Sequence, residues 1–348
     1  MPSQAVALLR RKKTSLGLTL VIVIAVVIVV GLELSAKRYD YQPIKSHLRP
    51  RTRVLRHRRP SCEVPAHFRG PAWNRDLWNI ANSDPDASTT PRLIDDPFLL
   101  VAIASAPSNF DRRSAIRKSL PGSSRVQVVF LIGESRSPEL TRETIIEATD
   151  KRDVVIGPYA DTYRNLTLKT VHGLLWSHRT VRPNYVLKTD DDCFVNLCVL
   201  LELLQKRGDS PRPLYVGNMR WESKVIRDPS SRWFVPEHVL HATQYPPYGS
   251  GAGYLLNNVA LDLFVGDVHC VGPFPNEDAY IGVVMNIASV TPVQSARFAT
   301  RSPGLWICNF LYVVVVHGVS ALEQGKFAEK VAVANQRCRG KFIDTEWN

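Results

Sequence analysis

The stretch YVLKTDDDCFVN, Tyr185 to Asn196, constrains this chain more than any other. An apolar β-type run, Tyr185-Val186-Leu187, leads into Lys188 and then into three successive carboxylates, Asp190, Asp191 and Asp192, before apolar Phe194 and Val195. A strand that ends this way sets hard oxygen ligands at the carboxyl edge of a sheet, where open α/β sheets bind their ligands. Adjacent carboxylates repel unless a cation or strong donors neutralise them, which points to a divalent metal. Oxygen ligation favours Mg²⁺ or Mn²⁺ over zinc. A solvated acidic turn is the alternative at this point. An EF-hand is excluded, because no Gly stands six positions in and the twelfth position is Leu201 rather than Glu.

The flanking sequence sets an α/β class. Phe98–Ala104 and Val126–Ile132 are continuous apolar runs of the kind found in buried parallel strands. Helical patterns separate them: Arg112–Leu120 with Asn109 or Asp111 as cap, Pro138–Thr149, and the apolar spacing of Leu166, Leu168, Val171, Leu174 and Leu175. Val154–Ile156 is a short strand and Leu197–Leu204 a helix. Alternation of this kind implies a parallel sheet covered on both faces. Further on, Leu214–Met219 and Tyr312–Val316 read as strands, Pro246–Gly253 as a Gly-rich turn, and Ala279–Asn286 as a helix behind the acidic pair Glu277-Asp278. Ser320 and Glu323 have capping-box spacing for a last helix. Taken singly, the glycines read as a turn, the acidic pair as capping, and His317 as a structural residue. With no GxGxxG or Walker loop, a dinucleotide or ATP fold has no direct support.

Charge and hydropathy divide the chain. The net charge is +12, but residues 1–60 hold 13 Lys/Arg against Glu33 and Asp40, which accounts for 11 of it. The remainder is nearly neutral, so no nucleic-acid footprint is expected. Leu16–Leu32 is an uncharged run of 17 residues, long enough for a thin bilayer. A cleaved signal peptide is the rival reading, but Leu34-Ser35-Ala36 is a poor cleavage site. The expected organisation is a cytosolic tail at 1–14, a signal anchor at 15–34, a Pro- and Arg-rich stem at 35–96 and one folded domain at 97–348. The charge bias across the anchor is nearly balanced, and orientation rests on the short tail and the large body behind it. The six cysteines form no CxxC pair, and their connectivity cannot be read from spacing. Asn165-Leu166-Thr167 is the one glycosylation sequon.

Seven stretches in register carry a resemblance: RRSAIRKSL (Arg112–Leu120), FLIGES (Phe130–Ser135), DTYRNLTLKT (Asp161–Thr170), YVLKTDDDCFVN, YPPYGSGAGYLL (Tyr245–Leu256), NEDAYIG (Asn276–Gly282) and VVVVHGVS (Val313–Ser320). Together, over about residues 97–340, they resemble the β1,3-galactosyltransferase family, of glycosyltransferase family 31 type. The resemblance implies a type II Golgi membrane enzyme with a GT-A fold, its catalytic body lumenal, and Mn²⁺ or Mg²⁺ as cofactor. It implies UDP-galactose as donor and a glycan on protein or lipid as acceptor. UDP-GlcNAc or UDP-GalNAc as donor, or an inactive sugar-binding relative, are the alternatives.

By the same resemblance Asp192 and His317 would hold the metal, and Asp278 would be the catalytic base with Glu277 beside it. Asp190, Asp191, Arg113, Arg117 and Gly251 would serve donor binding, and Cys308 and Cys338 would form a disulfide. Ser119-Leu120, Gly249, Ala252 and Ala279 depart from the family pattern. None of these departures removes a carboxylate or the histidine.

Overall fold

In the computed structural model the described residues are 64–68, 73–86, 88–208, 210–300, 306–338 and 347. The expected tail, anchor and first part of the stem lie outside them. No helix among the described residues is long and apolar enough to cross a membrane. The described residues fall in one compact unit, 56–348.

Four parallel strands make one side of the main sheet: β1 (Leu99–Ala104), β2 (Val126–Glu134), β3 (Val154–Ala160) and β4 (Tyr185–Asp190). The whole sheet has seven strands in the order β3-β2-β1-β4-β7-β6-β8, with β6 at Tyr215–Arg220, β7 at Tyr248–Asn257 and β8 at Pro292–Gln294. β7 runs antiparallel to both β4 and β6, so the sheet is mixed although mostly parallel. That corrects the Gly-rich turn: Gly249, Gly251 and Gly253 lie inside β7. Small residues there let the strand run close to its neighbours while leaving space on one face.

β1 shows why this sheet is buried on both sides. Leu100 and Ala102 enter one apolar cluster with α4 (Leu166–Trp176), α6 (Asn258–Asp267) and α7 (Glu277–Ile287). Leu99, Val101 and Ile103 enter the opposite cluster with α2 (Phe110–Ser119), α3 (Pro138–Lys151) and α5 (Leu197–Arg207). Side chains alternate across a strand, so a strand apolar at every position must be covered twice. Each such Leu or Ile contributes about 1.5–3 kcal/mol of burial. On one side the cover is tight: a Cβ at Gly173 of α4 would lie 2.4 Å from Leu131 Cδ1 of β2.

A second sheet, order β5-β10-β9, is built from β5 (Cys193–Val195), β9 (Phe298–Ala299) and β10 (Val315–His317). β5 follows Asp192 immediately, and its antiparallel register sets His317 opposite Cys193. The last helix, α8 (Ala321–Arg337), opens with the expected capping box and packs Phe327 and Val331 against Phe194 and Phe310. Cys308–Cys338 forms the disulfide implied by the resemblance and staples that helix to the turn before β10.

The folded body begins before residue 97, which corrects the expected stem boundary. Asn74 caps α1 (Arg75–Ala81) by accepting from Leu77 N at 2.8 Å. Trp73 Nε1 donates to Val268 O at 3.0 Å, and Leu77, Trp78 and Ile80 pack on the main core. Ile94 N then donates to Gln127 Oε1. The prolines break helices here, but the tryptophans supply enough apolar surface to dock the segment.

Arg113 and Arg117 join α2 to α3. Arg113 is fully buried, with Nη2 at 2.6 Å from Glu147 Oε2 and further donors to Ser105 Oγ, Ala106 O and Pro107 O. Arg117 meets Glu147 at 2.7 Å and Asp153 at 2.7 Å. Burial pushes the Glu147 carboxyl up, but the two guanidinium groups more than offset it and hold it below its ordinary value. Removing one member of such a buried pair strands the others. Arg113→Ala is therefore expected to cost about 3 kcal/mol in a urea unfolding measurement; a loss under about 1 kcal/mol would contradict this role.

Candidate functional site

The carboxyl edges of β1 and β4 meet the second sheet at the Asp cluster, and its three carboxylates have three different environments. Asp190 Oδ1 accepts from Lys188 Nζ at 2.9 Å. Asp191 is buried and turns toward β1: its Oδ2 accepts from Ser105 Oγ at 2.7 Å and from Asn109 Nδ2 at 2.8 Å. Arg112 Nη1 reaches Asp191 Oδ1 at 3.3 Å. Asn109 thus uses its amide on Asp191 and makes no side-chain cap on α2. Asp192 is the most open of the three, with 35 % of its side chain exposed against 29 % for Asp190. Charge repulsion within the triplet is consequently relieved for two members by the protein itself, and the case for a cation narrows to Asp192.

Asp192 Oδ2 lies 3.5 Å from His317 Nε2. The histidine's other nitrogen, Nδ1, is 3.3 Å from Thr300 O. A proton on Nδ1 donated to that carbonyl leaves the Nε2 lone pair facing Asp192, the usual outer-shell device for a metal-ligating histidine. Two ligands about 2.1 Å from one octahedral ion stand about 3 Å apart, so the pair fits a shared Mg²⁺ or Mn²⁺. Among the described residues no group of three or more His, Cys, Asp or Glu gathers as a metal cage. Such ions keep positions for water and substrate phosphates, and the exposure of both side chains leaves room for them.

The centre of the site is Lys188, on β4 and 1 % exposed. Its ammonium donates to Asp190 Oδ1, to Gly251 O at 3.0 Å and to Glu277 Oε2 at 3.0 Å. Burial alone would lower the lysine pKa. The two carboxylates overcome that and hold it above its ordinary value. Glu277, at the first turn of α7, also accepts from Tyr254 OH at 2.6 Å. Next to it, Asp278 accepts from Gly251 N at 3.1 Å and from Ala279 N at 2.9 Å. One peptide segment at Gly251 therefore binds Lys188 by its carbonyl and Asp278 by its amide. A Cβ there would stand 3.6 Å from both carboxylates, so Gly251 keeps the space before them clear.

Burial raises the Asp278 carboxyl above its ordinary value, while the Lys188 charge and the two backbone donors pull it down. A carboxylate with its basicity increased in this way is suited to accept a proton near neutral pH.

The structure brings Asp190, Asp192, His317, Gly251 and Asp278 to one edge. It turns Asp191 inward, and it places Arg113 and Arg117 behind the site, where Arg113 reaches the cluster only through Ser105. The exposed arginine beside the cluster is Arg112, which sequence reasoning passed over; it lies 3.9 Å from Asp192. Its signal was position, since the first turn of α2 follows directly on the carboxyl edge of β1. Lys188 carried a signal too, as a charge inside an otherwise apolar strand. Asn165 is half-buried before α4, its Nδ2 donating to Ala160 O, and Thr167 of the sequon is buried against Phe274 O.

Lys188→Met removes the cation that lowers the Asp278 carboxyl. The raised value then climbs further and the Asp278 carboxyl stays protonated to higher pH. The acidic limb of the kcat/KM profile is expected to move to higher pH, with about a tenfold loss at pH 7; an unmoved limb would contradict the network.

The galactosyltransferase family model matches residues 111–296. β-1,3-Galactosyltransferase 1 of Homo sapiens is 30 % identical over 234 residues, covering 65 % of this chain and 72 % of that protein. β-1,3-Galactosyltransferase 4 of Mus musculus is 33 % identical over 258 residues, covering 64 % and 69 %. The α/β body, with its mostly parallel sheet and acidic cluster at the carboxyl edge, is GT-A-like, and the chain is a glycosyltransferase that belongs to the galactosyltransferase family.

Proposed function

We propose that this enzyme is an inverting, metal-dependent β1,3-galactosyltransferase that moves galactose from UDP-galactose to a hydroxyl of an acceptor sugar. The observation that carries the reading is the separation of two acidic functions by Lys188. Asp192 with His317 lies open on one side, and Asp278 is held on the other by Gly251 N. Asp192 and His317 would hold Mn²⁺ or Mg²⁺, which when bound neutralises charge on the UDP leaving group. Arg112 stands where it can add a positive charge to the same diphosphate. Asp278 takes the proton of the acceptor hydroxyl as that oxygen attacks the anomeric carbon. The C–O bond to UDP breaks as the new one forms, from the opposite face, so the configuration inverts without a covalent enzyme intermediate.

The donor assignment follows the names of the relatives, and the chemistry is unchanged for UDP-GlcNAc or UDP-GalNAc. Intact Asp192, Asp278 and His317 speak against an inactive sugar-binding relative. We place the enzyme in the Golgi membrane as a single-pass type II protein. The apolar run Leu16–Leu32, the Cys308–Cys338 disulfide and the sequon at Asn165 support an oxidising, lumenal setting for the body.

Asp278→Asn is expected to lower kcat by about 10²–10⁴-fold while UDP binding, measured by calorimetry with Mn²⁺, persists. Loss of both together would move Asp278 out of the base role. Asp192→Ala is expected to abolish both turnover and the Mn²⁺ dependence of UDP affinity; UDP affinity that still rises with Mn²⁺ would place the ion elsewhere.

A further inference from the structure

His317 has 40 % of its side chain exposed, so packing alone does not fix its ring. The contact that orients it is the one from Nδ1 to Thr300 O, at 3.3 Å. Thr300 follows directly on β9, and the histidine is therefore aimed only as well as β9 is held. β9 is a weak anchor by itself. It has two residues, Phe298 and Ala299, paired in parallel with Val315 and Val316 of β10. So short a strand keeps its register only when its side chains and flanks are tied down elsewhere.

Several of these ties converge on a tryptophan far along the chain. Trp347 is buried in the apolar cluster that holds Phe298, Val314 and Val315. Its ring centroid lies 6.4 Å from that of Phe298, with the two planes tilted by 33°. Its backbone is gripped as well. The buried Ser295 hydroxyl donates to Trp347 O and accepts from Arg297 N at 3.2 Å. Arg297 O in turn accepts from Val314 N at 2.8 Å and from Val315 N at 3.2 Å, where β10 begins. On the far flank, Asn218 Nδ2 of β6 donates to Phe298 O at 3.1 Å and Ser295 N donates to Gly217 O at 2.8 Å. One path of contacts thus runs from the Trp347 ring through Phe298 to Thr300 O and His317 Nδ1. A second runs from Trp347 O through Ser295 and Arg297 to the strand that carries His317. An apolar filler would need only the first. Here one residue acts on both strands that meet at the histidine.

We propose that Trp347 is a positioning residue of the metal site, clamping β9 against β10 so that Thr300 O holds the His317 ring with Nε2 turned to Asp192. This rests on the Asp192–His317 ion site proposed above and adds the residue that sets its geometry from behind. A carbonyl behind a ligating histidine fixes its tautomer and direction, and loosening it costs about 10–100-fold in metal affinity. A large aromatic ring suits the task because it buries much area at a single contact. Trp347 acts through His317, so removing its ring leaves both ion ligands in the chain.

The test uses the full chain, its Trp347→Ala, Trp347→Phe and His317→Ala variants, and the Trp347→Ala/His317→Ala double variant, each checked for folding by thermal denaturation. Calorimetric UDP affinity is measured across a Mn²⁺ series, and the readout is the Mn²⁺ concentration that gives half of the rise. Trp347→Ala is expected to raise that midpoint about tenfold, with UDP affinity in EDTA unchanged, and Trp347→Phe to recover most of the loss. In the His317→Ala background the same change is expected to move the midpoint by less than about twofold, because effects of residues that act through one another do not add. A plain loss of stability would shift both backgrounds alike. An unmoved midpoint in Trp347→Ala, or an equal shift with and without His317, overturns the positioning role. A midpoint that His317→Ala leaves unmoved overturns the ion site, and the role of Trp347 with it. If Trp347→Ala is unfolded, Trp347→Leu takes its place in the cycle: a smaller shift confined to chains that keep His317 supports the role, and no shift or an additive one overturns it.

Discussion

A single buried ammonium organises this molecule's working edge. Lys188 projects from the strand that carries the Asp cluster and is nearly sealed from water, a position that is unfavourable for an unpaired charge. Asp190 and Glu277 satisfy it from two directions and the carbonyl of Gly251 from a third. Each partner belongs to a different element: β4 itself, the first turn of α7, and β7. Deleting any one leaves charge or hydrogen-bonding capacity stranded in a low-dielectric interior, so the three are held in one arrangement. Asp278 inherits its position from that arrangement through the amide of Gly251.

The same logic explains why a mixed sheet serves this chemistry. A parallel β4 delivers its aspartates to the carboxyl edge, and an antiparallel β7 beside it brings Gly251 and Tyr254 to the same level from the opposite direction. The second sheet then returns the chain, and its register with the residue after Asp192 supplies His317. The groups of the site therefore come from distant segments, Lys188 meeting Gly251 and Glu277 63 and 89 residues further along the chain. They are fixed by backbone pairing and by a few buried charges.

Much of this was legible in the sequence, and the misses have physical causes. Runs such as Leu99–Ala104 read as buried strands because every position is apolar, a pattern that requires cover on both faces. The Ser320 capping box was likewise readable, and the strand expected at Tyr312–Val316 forms later and shorter, at Val315–His317. β7 was not, because its glycines carry turn propensity, and only pairing with β4 and β6 makes Tyr248–Gly253 extended. Residues 73–96 read as spacer because prolines punctuate them, whereas Trp73 and Trp78 dock them by tertiary contacts that no local pattern contains. The acidic triplet marked the site, but sequence could not assign the roles of its members. Asp191 faces inward because Ser105 and Asn109, far away in the chain, are waiting for it. Arg113 and Arg112 are neighbours on one helix, yet Glu147 captures the first and leaves the second facing the aspartates.

The central claim is that Asp192 and His317 share one divalent ion at the end of the Lys188 network opposite the base. Anomalous diffraction from crystals of the protein grown with Mn²⁺ and UDP tests this most directly. The account predicts a single strong manganese peak within bonding distance of Asp192 Oδ2 and His317 Nε2, with Lys188 still bridging Asp190 and Glu277. A manganese peak bound by Asp278 or Glu277, or one that touches neither Asp192 nor His317, would contradict it.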